Sequence, residues 1–365
     1  MVSRSRSLVL RTGVDPMCDR IRVIAYGLGV MGAGVVKALQ QKAGFQLVGA
    51  VDTNPKLAGR DVGEILGLPA PTGVTVDADA EALLRRVDAD VAVHATSSDL
   101  RAVEPQLLAC ARAGLDVVST CEELAYPWNR HPEVARRLDA AAKEHGASLV
   151  GAGINPGYLM DALPLVLTAP CLRVDSIRVV RMMNAARRRI PFQAKVGVGL
   201  TPEVFRRKIE AKAITGHVGL TESIRLIAEG LGWALDRIEE APPEAVVAGR
   251  ETPSGLGPVP PGRVIGLKSA AQGYRGREAA IALEFTAHAG VEEEFDEVVI
   301  RGEPDIHQRI LGGVHGDTGT LAMVINTIPR IVPAAPGLRT LLDLTPPMCA
   351  SRPCAASRDA GDRRG

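Results

Sequence analysis

The stretch IRVIAYGLGVMGAGV, residues 21–35, constrains this chain more than any other. A short, largely β-branched run ends at Tyr26, glycines stand at Gly27, Gly29 and Gly32, and apolar residues then resume at helical spacing. A strand, a tight turn and a helix in that order match the cradle that holds a dinucleotide. The first glycine permits the turn, the second lets backbone approach a pyrophosphate, and the third lets the helix sit close to the strand. The helix start, with Val30 and Met31, then offers unpaired N–H groups to the phosphates.

Alone, the pattern is equally a structural turn. Asp52 adds weight, ending the next apolar run 20 residues after Gly32 with Thr53 beside it. A carboxylate there accepts hydrogen bonds from ribose hydroxyls and repels a 2′-phosphate, so NAD is expected to be preferred over NADP. Lys56 and Arg60 stand near enough to neutralise a phosphate, which keeps use of both cofactors open.

From residue 21 to 153 short apolar runs (IRVIAY, QLVGAVD, TGVTVD, ADVAVHAT, LDVVST, ASLVGAG) alternate with amphipathic stretches. Asp79 reads as an N-cap, and Gly114 and Gly146 as helix stops. This alternation predicts an α/β protein with a Rossmann-type doubly wound parallel sheet. After Gly153 the style changes to two helical stretches (TPEVFRRKIEAKA and GLTESIRLIAEGLGW), a Pro/Gly-rich loop and hairpin-like strand runs. A second α+β domain on a mostly antiparallel sheet is expected. The expected divisions are a disordered extension over 1–18, an NAD(P)-binding domain over 19–154 and a substrate and dimerisation domain over 155–316. A C-terminal helix over 317–347 then packs back on the first domain, followed by a disordered tail over 348–365. Translation from Met1 or from Met17 is left open.

Composition narrows the function classes. The 365 residues are 46% hydrophobic and carry a formal net charge of +1, with no basic stripe interleaved with aromatics. A nucleic-acid partner is therefore not expected. Nor is a membrane span, since no apolar run reaches the roughly 18 residues required. Six scattered cysteines without a C-x-x-C pair suggest free thiols and a cytoplasmic location. The seven histidines show no metal-binding spacing, so no metal is expected.

Ligands bind beyond the carboxyl ends of parallel strands. Two further strand ends therefore matter. One runs into Thr96-Ser97-Ser98, suited to a nicotinamide ribose, although Ser98 is equally a helix N-cap. The other runs into Ser119-Thr120-Cys121-Glu122-Glu123, where two carboxylates stand at the mouth of the crevice; a solvated acidic pair is the alternative.

At these residues a family resemblance appears. LVGAVDTNPKLAGRDVGEILG resembles the corresponding region of dihydrodipicolinate reductases, whose histidine–lysine substrate motif is missing here. TCEELAYP, GAGINPGYLMD, VGVGLTPEVFRRKI, GHVGLTESIRLIAEGLGW and the GGVHGD…NTIPRIV…APGLRTLLDL series instead resemble 2,4-diaminopentanoate dehydrogenases and the related native amine dehydrogenases. The resemblance covers roughly residues 21–347. It implies NAD(P)-dependent oxidative deamination of a primary amine to a ketone or aldehyde plus ammonia, the reverse amination, and a cytoplasmic homodimer. It also implies a catalytic glutamate within Cys121-Glu122-Glu123-Leu124. The segment further resembles the C-E-K-P stretch of sugar dehydrogenases, and that register favours Glu123 over Glu122.

For the substrate, Asn155 reads as a hydrogen-bonding residue or a turn residue before proline. Arg181 matches a pocket arginine of relatives, or is a solvated strand arginine. His217 and His315 are weaker candidates. Met183 departs from the polar asparagine of the diaminopentanoate enzymes and makes the pocket less polar. A dihydrodipicolinate reductase-like imine reductase and a non-catalytic NAD sensor are the competing readings.

Overall fold

The computed structural model describes residues 20–350. The expected extension, the choice of Met17 as a start and the tail beyond residue 350 lie outside the described residues. The first sheet opens with β1 (Ile21–Tyr26), β2 (Phe45–Val51), β3 (Val76–Asp77), β4 (Val91–His94), β5 (Asp116–Ser119) and β6 (Ser148–Gly151). All pair in parallel, in the order β6-β5-β4-β1-β2-β3. β4, β5 and β6 are buried along their whole length, because connecting helices cover the sheet. Asp79 caps its helix by accepting from the Ala82 N–H at 3.0 Å. Gly114 and Gly146 take positive φ angles just past theirs.

The second sheet holds β7 (Arg173–Asn184), β8 (Arg237–Glu240), β9 (Glu244–Val247), β10 (Val264–Arg275), β11 (Glu278–His288), β12 (Phe295–Glu303) and β13 (Ile306–Leu311). Its order is β13-β12-β7-β11-β10-β8, with β9 also on β10. Every pairing is antiparallel except β7 with β11. The long connection between those two strands, carrying three helices, makes the parallel crossover feasible. One of these, Leu220–Gly230, buries Leu220, Ile224 and Ile227 in the same core as Val179, Ile281 and Leu283 of the sheet.

The segment after β13 does more than return as a helix. Helix Gly316–Ile331 lies against helix Val30–Gln40, where Gly34 leaves room: a Cβ there would stand 2.9 Å from Leu321 Cδ2. The chain then adds β14 (Gly337–Arg339) to the first sheet, parallel to β6, a strand too short to announce itself in the sequence. One continuous core thus runs from Val93 and Val150 through Val324 and Ile328 to Ile281 and Leu283.

Among the described residues no helix is long and apolar enough to cross a membrane. Cys110, Cys121, Cys171 and Cys349 are free thiols.

Candidate active site

At the end of β1 the surface is made by backbone. Gly27 has φ +92°, and a Cβ there would stand 2.6 Å from Ala95 O. A Cβ on Gly32 would lie 1.8 Å from Gly27 O, so the helix approaches this closely only because both positions are glycine. Gly29, the N-cap residue, is different: nothing stands within 4 Å of where its Cβ would be. Open space therefore adjoins the first turn, with Val30 exposed and Met31 partly so. These residues fit a dinucleotide pyrophosphate.

Asp52 follows β2. Its Oδ2 accepts from the Leu28 N–H at 2.7 Å and its Oδ1 from the Asn54 N–H at 2.8 Å. The carboxylate is thereby pinned to the cradle, with lone pairs to spare for a ribose. Thr53, Lys56 and Arg60 are exposed around it.

His94, which the sequence reading passed over, organises the neighbouring strand ends. It is fully buried at the end of β4, with Nδ1 2.9 Å from Ser119 Oγ and Nε2 2.7 Å from Gln106 Oε1. Burial pushes its imidazole down to about 4, so it is neutral and holds Thr96, whose hydroxyl donates to Gln106 Oε1 at 2.7 Å. A histidine inside an apolar strand run is the signal that was available. Ser98 is not the helix N-cap: Asp99 is, accepting from the Arg101 N–H at 2.9 Å. Ser97 Oγ accepts from the Asp99 N–H, and Ser98 O accepts from the Cys121 thiol.

The acidic pair leaves β5 not as extended chain but as a 3-10 turn, Glu122–Leu124. Thr120 before it donates its N–H to His94 O at 2.9 Å. Strand alternation therefore does not separate the two glutamates; the turn does, at about 120° per residue. Glu123 lines a cleft of about 860 Å³ between the two sheets' halves, together with Ser97, Ser98, Lys195, His217 and Glu240. Glu122 is absent from that lining. Glu123 Oε2 accepts from the Leu100 N–H at 2.9 Å and stands 2.9 Å from His131 Nε2; Oε1 lies 3.4 Å from Arg130 Nη1. The carboxylate is thus held at a helix N-terminus, where negative charge is favoured.

The far side of the cleft is lined by residues between Lys195 and Val218 with Glu240 and Pro243, and the second sheet supports it. Pairing registers set Ser269, Phe285, Arg181 and Asp296 in a row across β10, β11, β7 and β12. His217 stacks on Phe285 with ring centres 4.5 Å apart, and Asn155 Nδ2 donates to His217 Nε2 at 2.8 Å. That bond places the His217 proton on Nδ1, and burial, with Arg181 and Lys195 adding to it, pushes the ring down to about 3. Asn155 Oδ1 is buried without a partner.

Arg181 is not a solvated strand arginine: it is 2% exposed. Its Nη2 donates to Val314 O at 2.7 Å, Nε lies 3.6 Å from Asp296 Oδ1, and Nη1 has no partner. Burial holds its pKa below the usual range, with Asp296 opposing. Met183, also buried, sets its sulfur 3.3 Å from Arg181 Nε. His315, exposed beside Val314, is the N-cap of helix Gly316–Ile331. Among the described residues no three His, Cys, Asp or Glu side chains cluster so as to hold a metal ion.

Arg130, Glu222 and Glu240 were not singled out in the sequence. They come together at this cleft from three separate elements, and nothing in their local spacing announces it.

Comparison with known proteins bears on this arrangement. Residues 158–358 match the model of the 2,4-diaminopentanoate dehydrogenase C-terminal domain, and residues 21–121 that of the dihydrodipicolinate reductase N-terminus. The 2,4-diaminopentanoate dehydrogenase of Acetoanaerobium sticklandii is 33% identical over 90% of this chain and 94% of its own. An amine dehydrogenase of Streptomyces virginiae is 26% identical over 89% and 96%. The solved amine dehydrogenase from Mycobacterium smegmatis superposes with a TM-score of 0.79 at 29% identity, covering 91% of this chain and 98% of that one.

Proposed function

Because the chain belongs to the 2,4-diaminopentanoate dehydrogenase family, we propose that it is an NAD(P)-dependent amine dehydrogenase, an oxidoreductase acting on CH–NH2 groups. It deaminates a small primary amine to a ketone or aldehyde plus ammonia, and runs the reverse amination. The observation that carries this reading is Glu123, a carboxylate held in the cleft that Ser97 and Ser98 line on one side and His217, bonded to Asn155, lines on the other.

When bound, the nicotinamide supplies the hydride acceptor, or the donor in reverse. Gly27, Gly29, Val30, Met31, Gly32, Asp52 and Thr53 would hold the adenosine and pyrophosphate end, and Thr96, Ser97, Ser98 and Thr120 would line the nicotinamide ribose. Glu123 takes a proton from the substrate ammonium, since only the neutral amine gives up hydride readily. After releasing that proton to solvent, the carboxylate stabilises the iminium cation left by hydride loss and takes a proton from the water that attacks its carbon. Asn155, through its unpartnered Oδ1, orients amine or water. Arg181, Met183 and His217 shape the pocket, and Glu122 supports the turn. Asp52 favours NAD over NADP. The resemblance of the motifs supports a cytoplasmic homodimer.

Met183 directs the substrate choice toward a mostly apolar amine. Formation of reduced nicotinamide across a panel of amines tests both points. Simple alkyl amines are expected to exceed 2,4-diaminopentanoate in kcat/KM. A value at least about tenfold higher for diaminopentanoate, about 1.4 kcal/mol in transition-state terms, reverses the assignment. No turnover with any amine, or with any ketone plus ammonia, removes the activity itself.

A further inference from the structure

Arg130 closes the short helix Pro127–Arg130, yet two of its partners belong to the other half of the molecule. Its Nε stands 3.1 Å from Glu222 Oε1, in the first turn of helix Leu220–Gly230. Its Nη1 stands 3.4 Å from Glu123 Oε1, and its Nη2 3.4 Å from Glu240 Oε2 on β8. One cation cannot neutralise three anions. Glu240 is about a third exposed and also accepts from the Thr221 hydroxyl. Glu222 is 1% exposed, and neither of its oxygens makes a hydrogen bond. A carboxylate so placed keeps its charge chiefly through Arg130. Burial pushes its pKa up to about 7, Arg130 opposing the rise and the charges of Glu123 and Glu240 adding to it.

We propose that Arg130 is a positioning residue through which buried Glu222 sets the strength of Glu123 as a base, a role that rests on the assignment of Glu123 above. With Glu222 ionised, its negative charge and its hold on Arg130 raise the proton affinity of Glu123. When Glu222 takes up a proton, the charge of Arg130 falls more fully on Glu123 and weakens it as a base. Other charged and titratable groups face the pair. His131 meets Glu123, while Asp99, Lys195 and Lys212 line the cleft. Arg225 and Glu229 share the helix of Glu222, and the Tyr126 hydroxyl donates to Glu229 at 3.3 Å. Arg130 forms an ion pair with both Glu123 and Glu222.

The test is kcat/KM against pH, from about 5.5 to 9, on one amine with saturating NAD, together with NAD affinity. Wild type is expected to show an inflection near neutrality, above which the rate rises. Glu222→Gln removes it and holds kcat/KM about three- to tenfold below wild type on the alkaline side, with NAD affinity unchanged. Arg130→Gln raises the proton affinity of both carboxylates and moves the acidic limb to higher pH, and Arg130→Lys restores part of that shift. A purely structural role lowers the rate equally at every pH, and that result overturns the proposal. So does a wild-type profile with no inflection beyond the ionisation of the amine, which needs no variant to fold. Glu123→Gln separates the two layers. If it leaves turnover intact, the assignment of Glu123 falls and takes the proposal with it. If it abolishes turnover while the Glu222→Gln profile matches wild type, the proposal alone falls.

Discussion

The first half gathers its glycine cradle from six consecutive residues, Gly27 to Gly32, whereas the second half assembles Arg181, Phe285 and Asp296 from three strands. In the first, the contact surface is backbone, and it works because Cβ atoms are missing. In the second it is buried charge: Arg181 reaches Val314 O across 133 residues of chain. A backbone surface fails when a side chain is added. A buried ion pair fails when a side chain is taken away.

The sharpest break in that comparison lies between the halves. Glu123→Gln keeps the shape of the residue but removes the base, so turnover should fall by roughly two to four orders of magnitude while NAD titrations barely change. Glu122→Gln should cost far less; the opposite pattern would move the catalytic role one residue back along the turn.

Arg181→Met tests the buried side-chain wall. Asp296 would be left buried without its cation, and thermal unfolding should report a loss of about 3–5 kcal/mol. Burial already raises the Asp296 carboxyl, and Arg181 opposes it. Without Arg181 the folded protein holds that proton more tightly still, and the unfolded chain does not. The loss should therefore be least in acid and grow as pH rises past the already raised Asp296 pKa of the folded wild type toward the higher one of the folded variant. Adding Asp296→Asn should recover much of it.

Gly29→Val tests the backbone surface. Its side chain enters open space, so the melting temperature should hold while NAD affinity drops by at least about a hundredfold, with the pyrophosphate denied its close approach. Asp52→Ala should act least, moving the NAD-to-NADP affinity ratio by about tenfold toward NADP as the repulsion of a 2′-phosphate disappears. Unchanged affinity for both cofactors in both variants would dismiss the cradle.

The same contrast governs what could be read in advance. The six parallel strands, the Asp79 cap, the Gly114 and Gly146 stops and the glycine turn are local signals, complete within a few residues, and they were legible. So was the second sheet's antiparallel character, from hairpin spacing. The β7–β11 parallel pairing was not, because strand runs say nothing of the partner across a long connection. Arg181 was visible as a candidate, but its burial depends on β12 and on Val314. Glu222 looked like an ordinary first-turn glutamate on an amphipathic helix; only the approach of Arg130 from the other half makes it unusual. Glu123 was chosen over Glu122 by motif register, and the turn that distinguishes them is too short for periodicity to show.

One consequence follows from the three residues of β14. The edge of the first sheet is made by chain synthesised long after the strand it joins: the Leu338 N–H is anchored on Asp139, 199 residues earlier. While the protein is being synthesised, β6 waits with an unpaired flank and helix Val30–Gln40 with an uncovered Gly34. The earlier half is therefore completed only by chain made after the second sheet, and contacts of such sequence separation form slowly. A nascent chain arrested before residue 316 would carry a glycine cradle on a sheet still open at one side. Separating the two halves at their apparent boundary would leave that sheet open permanently.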